Sequence, residues 1–201
     1  MSIVLNKYYS LRSQAFSLDY LEYLEKQILS SPYLSASQLS DSFTGTQGFS
    51  IVFKRSGMKQ VKQKFPFLLQ YLETALNASC NAFYLNPLII KQGNCIEQHI
   101  DSSVSSYTKK TTIPFIVSVF YVAVPSDLRG GELILQQNKQ QIEQIKPKTN
   151  TLLYFRGNLK HSVSKVESSQ ARISLVCEQY NLSTTLLNRI PEFKIETNAA
   201  I

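Results

Sequence analysis

The chain of 201 residues holds only two histidines, His99 and His161. His99 sits in "EQHIDSS", two places before Asp101, and His161 sits in "GNLKHSVSKV". In an extended strand side chains alternate between faces, so residues i and i+2 share one. The His-Ile-Asp run therefore sets an imidazole beside a carboxylate and turns Ile100 away. These are two corners of a metal site, and His161 can supply a third from another strand. Two histidines and one carboxylate on one face of a metal leave its other positions open. Borderline imidazole with hard carboxylate suits Fe(II) without locking it. The competing readings are histidines that bind no metal, and a Zn(II) or Mn(II) site in a hydrolase or lyase. The cysteines Cys80, Cys95 and Cys177 are odd in number and form no CxxC pair. Neither a disulfide framework nor a cysteine zinc site is indicated.

Strands must carry these groups, and the texture of the chain supplies them. From about residue 81 onward the sequence breaks into short β-rich runs, among them "FYLNPLII", "IPFIVSVFYVAV", "NTLLYF" and "ARISLVCEQY". Turn-forming pieces such as "KQGN", "PSDLRG" and "KPKTN" separate them. Many short strands at near-regular spacing predict a sandwich or barrel. Before them, residues 17–31 read as an amphipathic helix capped by Ser17, with Leu21, Leu24 and Ile28 on one face. Residues 48–55 read as a strand, and residues 66–79 as a second helix opened by Pro66. The glutamine-rich piece "QQNKQQIEQ" reads as a polar hairpin, and Gly130-Gly131 as a tight turn rather than a phosphate loop. The tail from Leu182 has no clear pattern.

Composition sets the outer bounds. Hydrophobic residues at 43% and charged residues at 17% suffice for a packed core. The net charge of +7 permits an anionic partner without establishing one. No apolar run approaches the ~18 residues of a membrane span. The unpaired cysteine pattern leads to the expectation of a reduced cytoplasmic setting, and the N-terminus reads as a poor signal peptide.

Taken in order, "HID…RGGELIL…LLYFRGNLKHSV…ARISL" resembles the 2-oxoglutarate- and Fe(II)-dependent oxygenases, particularly their prolyl-4-hydroxylase-like branch. The resemblance covers about residues 84–180. It implies a mostly β fold, a double-stranded β-helix (jelly-roll) core with N-terminal supporting α-helices. It also implies a single oxygenase domain over residues 1–201, with a helical support region (1–80), the jelly-roll core (81–180) and a C-terminal extension (181–201). His99, Asp101 and His161 match the family's catalytic iron ligands. Arg172 matches the basic residue that grips the distal carboxylate of 2-oxoglutarate, a task suited to a planar guanidinium fork. Ser174, two residues on, matches the hydroxyl of an "RxS" variant. Tyr121 resembles a tyrosine that supports the same cosubstrate, or is an aromatic core residue. Val163 is expected to line the iron pocket. Many relatives carry a Tyr about nine residues before the first histidine, where this chain has Ile90, with Tyr84 as a candidate substitute.

The implied cofactors are Fe(II), 2-oxoglutarate and O2, with ascorbate admitted as a reductant. The implied reaction hydroxylates an unactivated C–H bond and releases succinate and CO2. Asp101 favours hydroxylation, desaturation or cyclisation over halogenation, since related halogenases carry a small residue there. The substrate is expected to be an amino acid, a prolyl peptide or another small metabolite. Basic stretches such as "KRSGMKQVKQK" raise alkylated nucleic acid as an alternative, but the RxNxTxR pattern of nucleic-acid dealkylases is absent after His161. A further alternative is a non-catalytic module that binds metal or 2-oxoglutarate without turnover. The segment from Ser102 to Pro114 reads as a substrate lid or a plain surface loop. No oligomeric state follows from the sequence.

Overall fold

The computed structural model describes residues 7–36 and 45–200. In chain order its elements are β1 (Tyr9–Ser13), α1 (Leu18–Leu29), β2 (Ser35–Ala36), β3 (Thr46–Gly48), β4 (Ser50–Lys54), α2 (Met58–Lys64), α3 (Leu69–Ala75) and β5 (Ala82–Ile90). They continue with β6 (Ile96–His99), α4 (Ser105–Thr108), β7 (Ile116–Ala123), β8 (Arg129–Gly130), β9 (Leu133–Gln137) and β10 (Gln140–Ile145). The chain closes with β11 (Thr151–Arg156), β12 (Lys160–Val163), β13 (Val166–Glu167), β14 (Arg172–Tyr180), α5 (Thr184–Leu187) and β15 (Phe193–Glu196).

The larger sheet runs β1-β11-β7-β14-β5-β3-β2, with β4 also on β5 and β15 on β4. The smaller runs β10-β9-β12-β6, and every pairing is antiparallel. This is the jelly-roll arrangement of two facing sheets. Strand β7 shows why its sequence reads as an almost unbroken apolar run. Ile116, Phe120 and Val122 pack toward the helices, in one cluster with Leu24 and Ile28 of α1. Val117, Val119 and Tyr121 face the smaller sheet, in one cluster with Leu133, Leu135 and Val163. A central strand covered on both faces has no solvated side to mark with polar residues.

Helix α1 forms as its spacing predicts. The Ser17 hydroxyl accepts from the Tyr20 N–H at 3.4 Å, and Leu21, Leu24 and Ile28 are buried. The predicted helix over 66–79 is shorter: a 3-10 turn at Pro66–Leu68 leads into α3, which stops at Ala75. The Asn77 side chain accepts from the Ser79 N–H at 2.9 Å, a local turn that competes with another helical turn. The basic stretch after Lys54 forms a 3-10 turn and α2, which buries only Val61 and sends Lys59, Lys62 and Lys64 outward or to its flank. Residues 137–140 close the glutamine-rich hairpin of β9 and β10, with Asn138 and Lys139 both at positive φ. Gly130 has φ +69° and would place a Cβ 1.9 Å from the Lys165 carbonyl, so this turn admits no side chain. Beyond Leu182, α5 and β15 return the chain to the larger sheet. No helix among the described residues is long and apolar enough to cross a membrane.

Candidate active site

Strand β6 ends at His99, and β12 pairs with it so that His161 stands opposite His99 in register. The two imidazole centroids are 4.3 Å apart. The sequence places Asp101 on the same strand as His99, but the strand has already ended there. Asp101 enters the following turn, and its carboxylate still returns to both rings: Oδ1 is 3.3 Å from His99 Nε2, and Oδ2 is 3.4 Å from His161 Nε2. One ligand atom from each residue lies within 4.8 Å of the others, close enough to hold one metal ion.

The backbone fixes which nitrogen of each ring points inward. His99 Nδ1 donates to the Glu97 carbonyl at 2.8 Å, and His161 Nδ1 to the Leu159 carbonyl at 3.3 Å. A carbonyl can only accept, so Nδ1 is the donor on each ring at that contact, and Nε2 is the nitrogen turned toward Asp101 and available to a metal. Asp101 is 7% exposed and His161 6%. Burial would raise the Asp101 carboxyl, but the adjacent imidazoles hold it below its ordinary value. Burial lowers His161, with Asp101 opposing and His99 adding to the effect. Burial also pulls on His99, but Asp101 outweighs it and the ring is raised. The trio is thus a donor set in which Asp101 and His161 are buried and His99 is partly exposed.

The same cavity extends along β14. Arg172 and Ser174 lie on one face, and both line the cavity with Leu88, Val163 and Val176. Arg172 is 2% exposed, yet Nε and Nη1 have no hydrogen-bond partner, and neither has the buried Ser174 hydroxyl. The Arg172 guanidinium carbon lies 4.9 Å from the Tyr121 ring centroid, and the Tyr121 hydroxyl is also buried without a hydrogen bond. Buried donors are almost always satisfied in native proteins. Arg172 Nε and Nη1, the Ser174 hydroxyl and the Tyr121 hydroxyl thus make four buried polar atoms without a hydrogen bond.

Three features add to the sequence reading or qualify it. The first is Glu178, further along the same face of β14. It accepts from the Ser103 N–H at 3.1 Å, from the Ser103 hydroxyl at 2.5 Å and from the Tyr180 hydroxyl. It thereby ties the turn after Asp101 to the central strand. Burial is the main cause, with Asp101 adding to it, that lifts its carboxyl to about 8. The second is the order in the 102–114 segment. Thr108 and Thr112 bond to each other at 2.7 Å, and Arg189 Nη1 donates to the Thr108 carbonyl at 2.8 Å. The third is Tyr84, which stands away from the metal cavity and donates to Glu196 of β15 at 3.1 Å. Ile90 packs in the core between the sheets.

Residues 84–177, close to half the chain, match the sequence model of the family described as the 2OG-Fe(II) oxygenase superfamily. No curated protein sequence matches this chain. Among solved structures, an oxidoreductase of the 2OG-Fe(II) oxygenase family from Burkholderia pseudomallei is similar at TM-score 0.58 and 12% identity, over 89% of this chain and 87% of that one. A prolyl-4-hydroxylase from Pseudomonas putida is similar at TM-score 0.57 and 14% identity, over 87% and 93%. A Trichoplax adhaerens prolyl hydroxylase, solved with a peptide fragment of the hypoxia inducible factor oxygen degradation domain, is similar at 0.56 and 13%, over 88% and 84%. At such identities the structures show a shared fold. The matched stretch spans the strands that bring His99, Asp101, His161 and Arg172 into one cavity, so the similarity to the 2OG-Fe(II) oxygenase superfamily covers the candidate site itself.

Proposed function

We propose that the protein is an Fe(II)- and 2-oxoglutarate-dependent dioxygenase that hydroxylates an unactivated C–H bond of an amino acid, a prolyl peptide or another small metabolite. His99 Nε2, His161 Nε2 and an Asp101 oxygen would hold the iron. Arg172, with Ser174 and the Tyr121 hydroxyl, would hold the distal carboxylate of 2-oxoglutarate. When bound, the iron and cosubstrate supply O2 activation coupled to oxidative decarboxylation, with succinate and CO2 released.

The observation that carries this reading is the pairing of the two halves of the cavity. A donor trio of two imidazoles and a carboxylate stands beside a buried guanidinium whose Nε and Nη1 have no hydrogen-bond partner and two hydroxyls in the same condition. A metallo-hydrolase has no use for the second half. The protein's own contribution is fixed geometry. The Glu97 and Leu159 carbonyls orient the rings, and Leu88, Val119 and Phe155 keep the cavity apolar around the polar groups. Charge at the clamp persists because a guanidinium stays protonated even when burial lowers its pKa. The reading also takes the chain as one oxygenase domain, since β1, β3, β4 and β15 join the sheet of the core.

The test is succinate formation from 2-oxoglutarate with Fe(II) and O2, screened with free proline, prolyl peptides and cell extract. Substrate-stimulated succinate that disappears in His99→Ala is the expected result. Metal-loaded protein that binds 2-oxoglutarate but forms no succinate with any input would favour a non-catalytic module instead.

A further inference from the structure

A second cavity of about 340 Å3 lies beside the first. It is within the usual size of small-ligand sites. Residues Tyr84, Asn86 and Leu88 share one face of β5. Tyr84 and Asn86 line this second cavity, and Leu88 lines the metal cavity. Asn86 is paired in register with Val176, which also lines the metal cavity. Ser103, two residues after Asp101, lines the second cavity on the opposite side. The two spaces are therefore separated by about one i to i+2 step of strand, roughly 7 Å.

The lining has a definite chemistry. Ser35, Ser50, Ser103, Ser106 and Thr197 bring hydroxyls, and Phe49 brings an apolar face. Among the described residues no Lys, Arg or His lines it, and the single carboxylic acid is Glu196. Glu196 is held in place by two phenols: Tyr84 donates to Oε2 at 3.1 Å, and Tyr107 donates to Oε1. The same corner already accommodates an ammonium group. Lys194 Nζ lies 3.2 Å from Glu196 Oε1, 3.0 Å from the Tyr107 hydroxyl and 5.2 Å from the Tyr107 ring centroid. Lys194 reaches it from outside on a side chain that is 52% exposed. Such an exposed pair is weak and open to competition.

We infer that this cavity is the substrate site, and that it takes a substrate bearing an aliphatic ammonium group, paired with Glu196. This rests on reading the neighbouring trio as the iron site. An ammonium entering from the metal side meets a carboxylate, two phenol oxygens and the hydroxyl wall, while its methylenes lie against Phe49. Anionic substrates such as nucleic acid meet the Glu196 carboxylate and, among the described residues, no lining cation to offset it. The ammonium chemistry is shared by free alkyl amines and by lysyl side chains, and the test separates them.

Calorimetric titration provides it, using 1,5-diaminopentane against 1,5-pentanediol, and N-acetyl-lysine amide against N-acetyl-norleucine amide. The ammonium member of at least one pair should bind roughly tenfold or more tightly, as a charged hydrogen bond would give. Glu196→Gln should erase that preference, and Lys194→Met should strengthen ammonium binding by removing the competitor. Diamine preference alone identifies free amines, and preference for the lysine amide identifies lysyl side chains. No preference in either pair, a preference that survives Glu196→Gln, or weaker binding in Lys194→Met would overturn the inference. The iron reading is checked in the same samples by the visible band formed with Fe(II) and 2-oxoglutarate without O2. A band with no ammonium preference sinks the cavity inference alone, and a preference with no band sinks the iron reading alone.

Discussion

Arg172 is a full charge removed from water, with neither a salt bridge nor hydrogen bonds at Nε and Nη1 among the described residues. Leaving such donors unsatisfied costs about 1–3 kcal/mol each in a folded protein, and the stacked Tyr121 ring offsets only part of that. Arg172→Met is therefore expected to raise the melting temperature of the ligand-free protein while weakening 2-oxoglutarate binding about tenfold or more. Fe(II) binding should be largely retained, and loss of iron instead would show that Arg172 acts on the metal trio. Glu178 gives a second prediction, for the metal-free protein. Its folded value of about 8 lies above its ordinary 4.5. Between these pH values the folded state keeps a proton that the unfolded chain has released. The contribution of Glu178 to stability should therefore be fully present below pH about 4.5 and be lost as pH rises toward about 8. Thermal melts across that range should show a flatter profile in Glu178→Gln than in the parent protein, and parallel profiles would remove Glu178 as the cause. At this scale the sequence brought the donor trio into view because histidine is rare and the His99 to Asp101 spacing of two is distinctive. Glu178 was harder to see. It reads as an isolated acid in an apolar run, and only the inward face through Arg172, Ser174 and Val176 points to it.

The elements divide the labour between stability and chemistry. Strand β14 turns Ile173, Leu175 and Cys177 toward the helices, and Arg172, Ser174 and Glu178 toward the cavity or its wall. Helix α1 touches only the first side. Leu24→Ala should cost about 2–5 kcal/mol in denaturant unfolding, as for other buried leucines. It should leave Fe(II) affinity unchanged, because no α1 residue lines the metal cavity. A matching loss of metal affinity would mean that the helix layer sets the spacing of the two sheets. Long elements with a strong pattern were readable in advance: α1 from its 3.6-residue spacing, and β5, β7, β11 and β14 from their apolar runs. Short ones were not. Helix α2 has one buried apolar residue, and β15 is four residues of mixed character held by pairing to β4. Both are set by tertiary contacts that a local window does not contain.

At the scale of the whole molecule, two sheets converge on one cavity, and residues far apart in sequence meet there. His99 and His161 are joined by the pairing of β6 with β12, and Arg172 is brought alongside by the larger sheet. The C-terminal strand then closes a second, hydroxyl-lined space on the same inner face. Among the described residues Arg172 is the only Lys or Arg lining either cavity. The central claim is that one cavity holds iron and 2-oxoglutarate together. The most direct measurement is the visible absorption spectrum of the protein with Fe(II) and 2-oxoglutarate in the absence of O2. A weak metal-to-ligand charge-transfer band, present in the parent protein and lost in Asp101→Ala, is the expected result. Metal-loaded protein that shows no such band at saturating 2-oxoglutarate would contradict it.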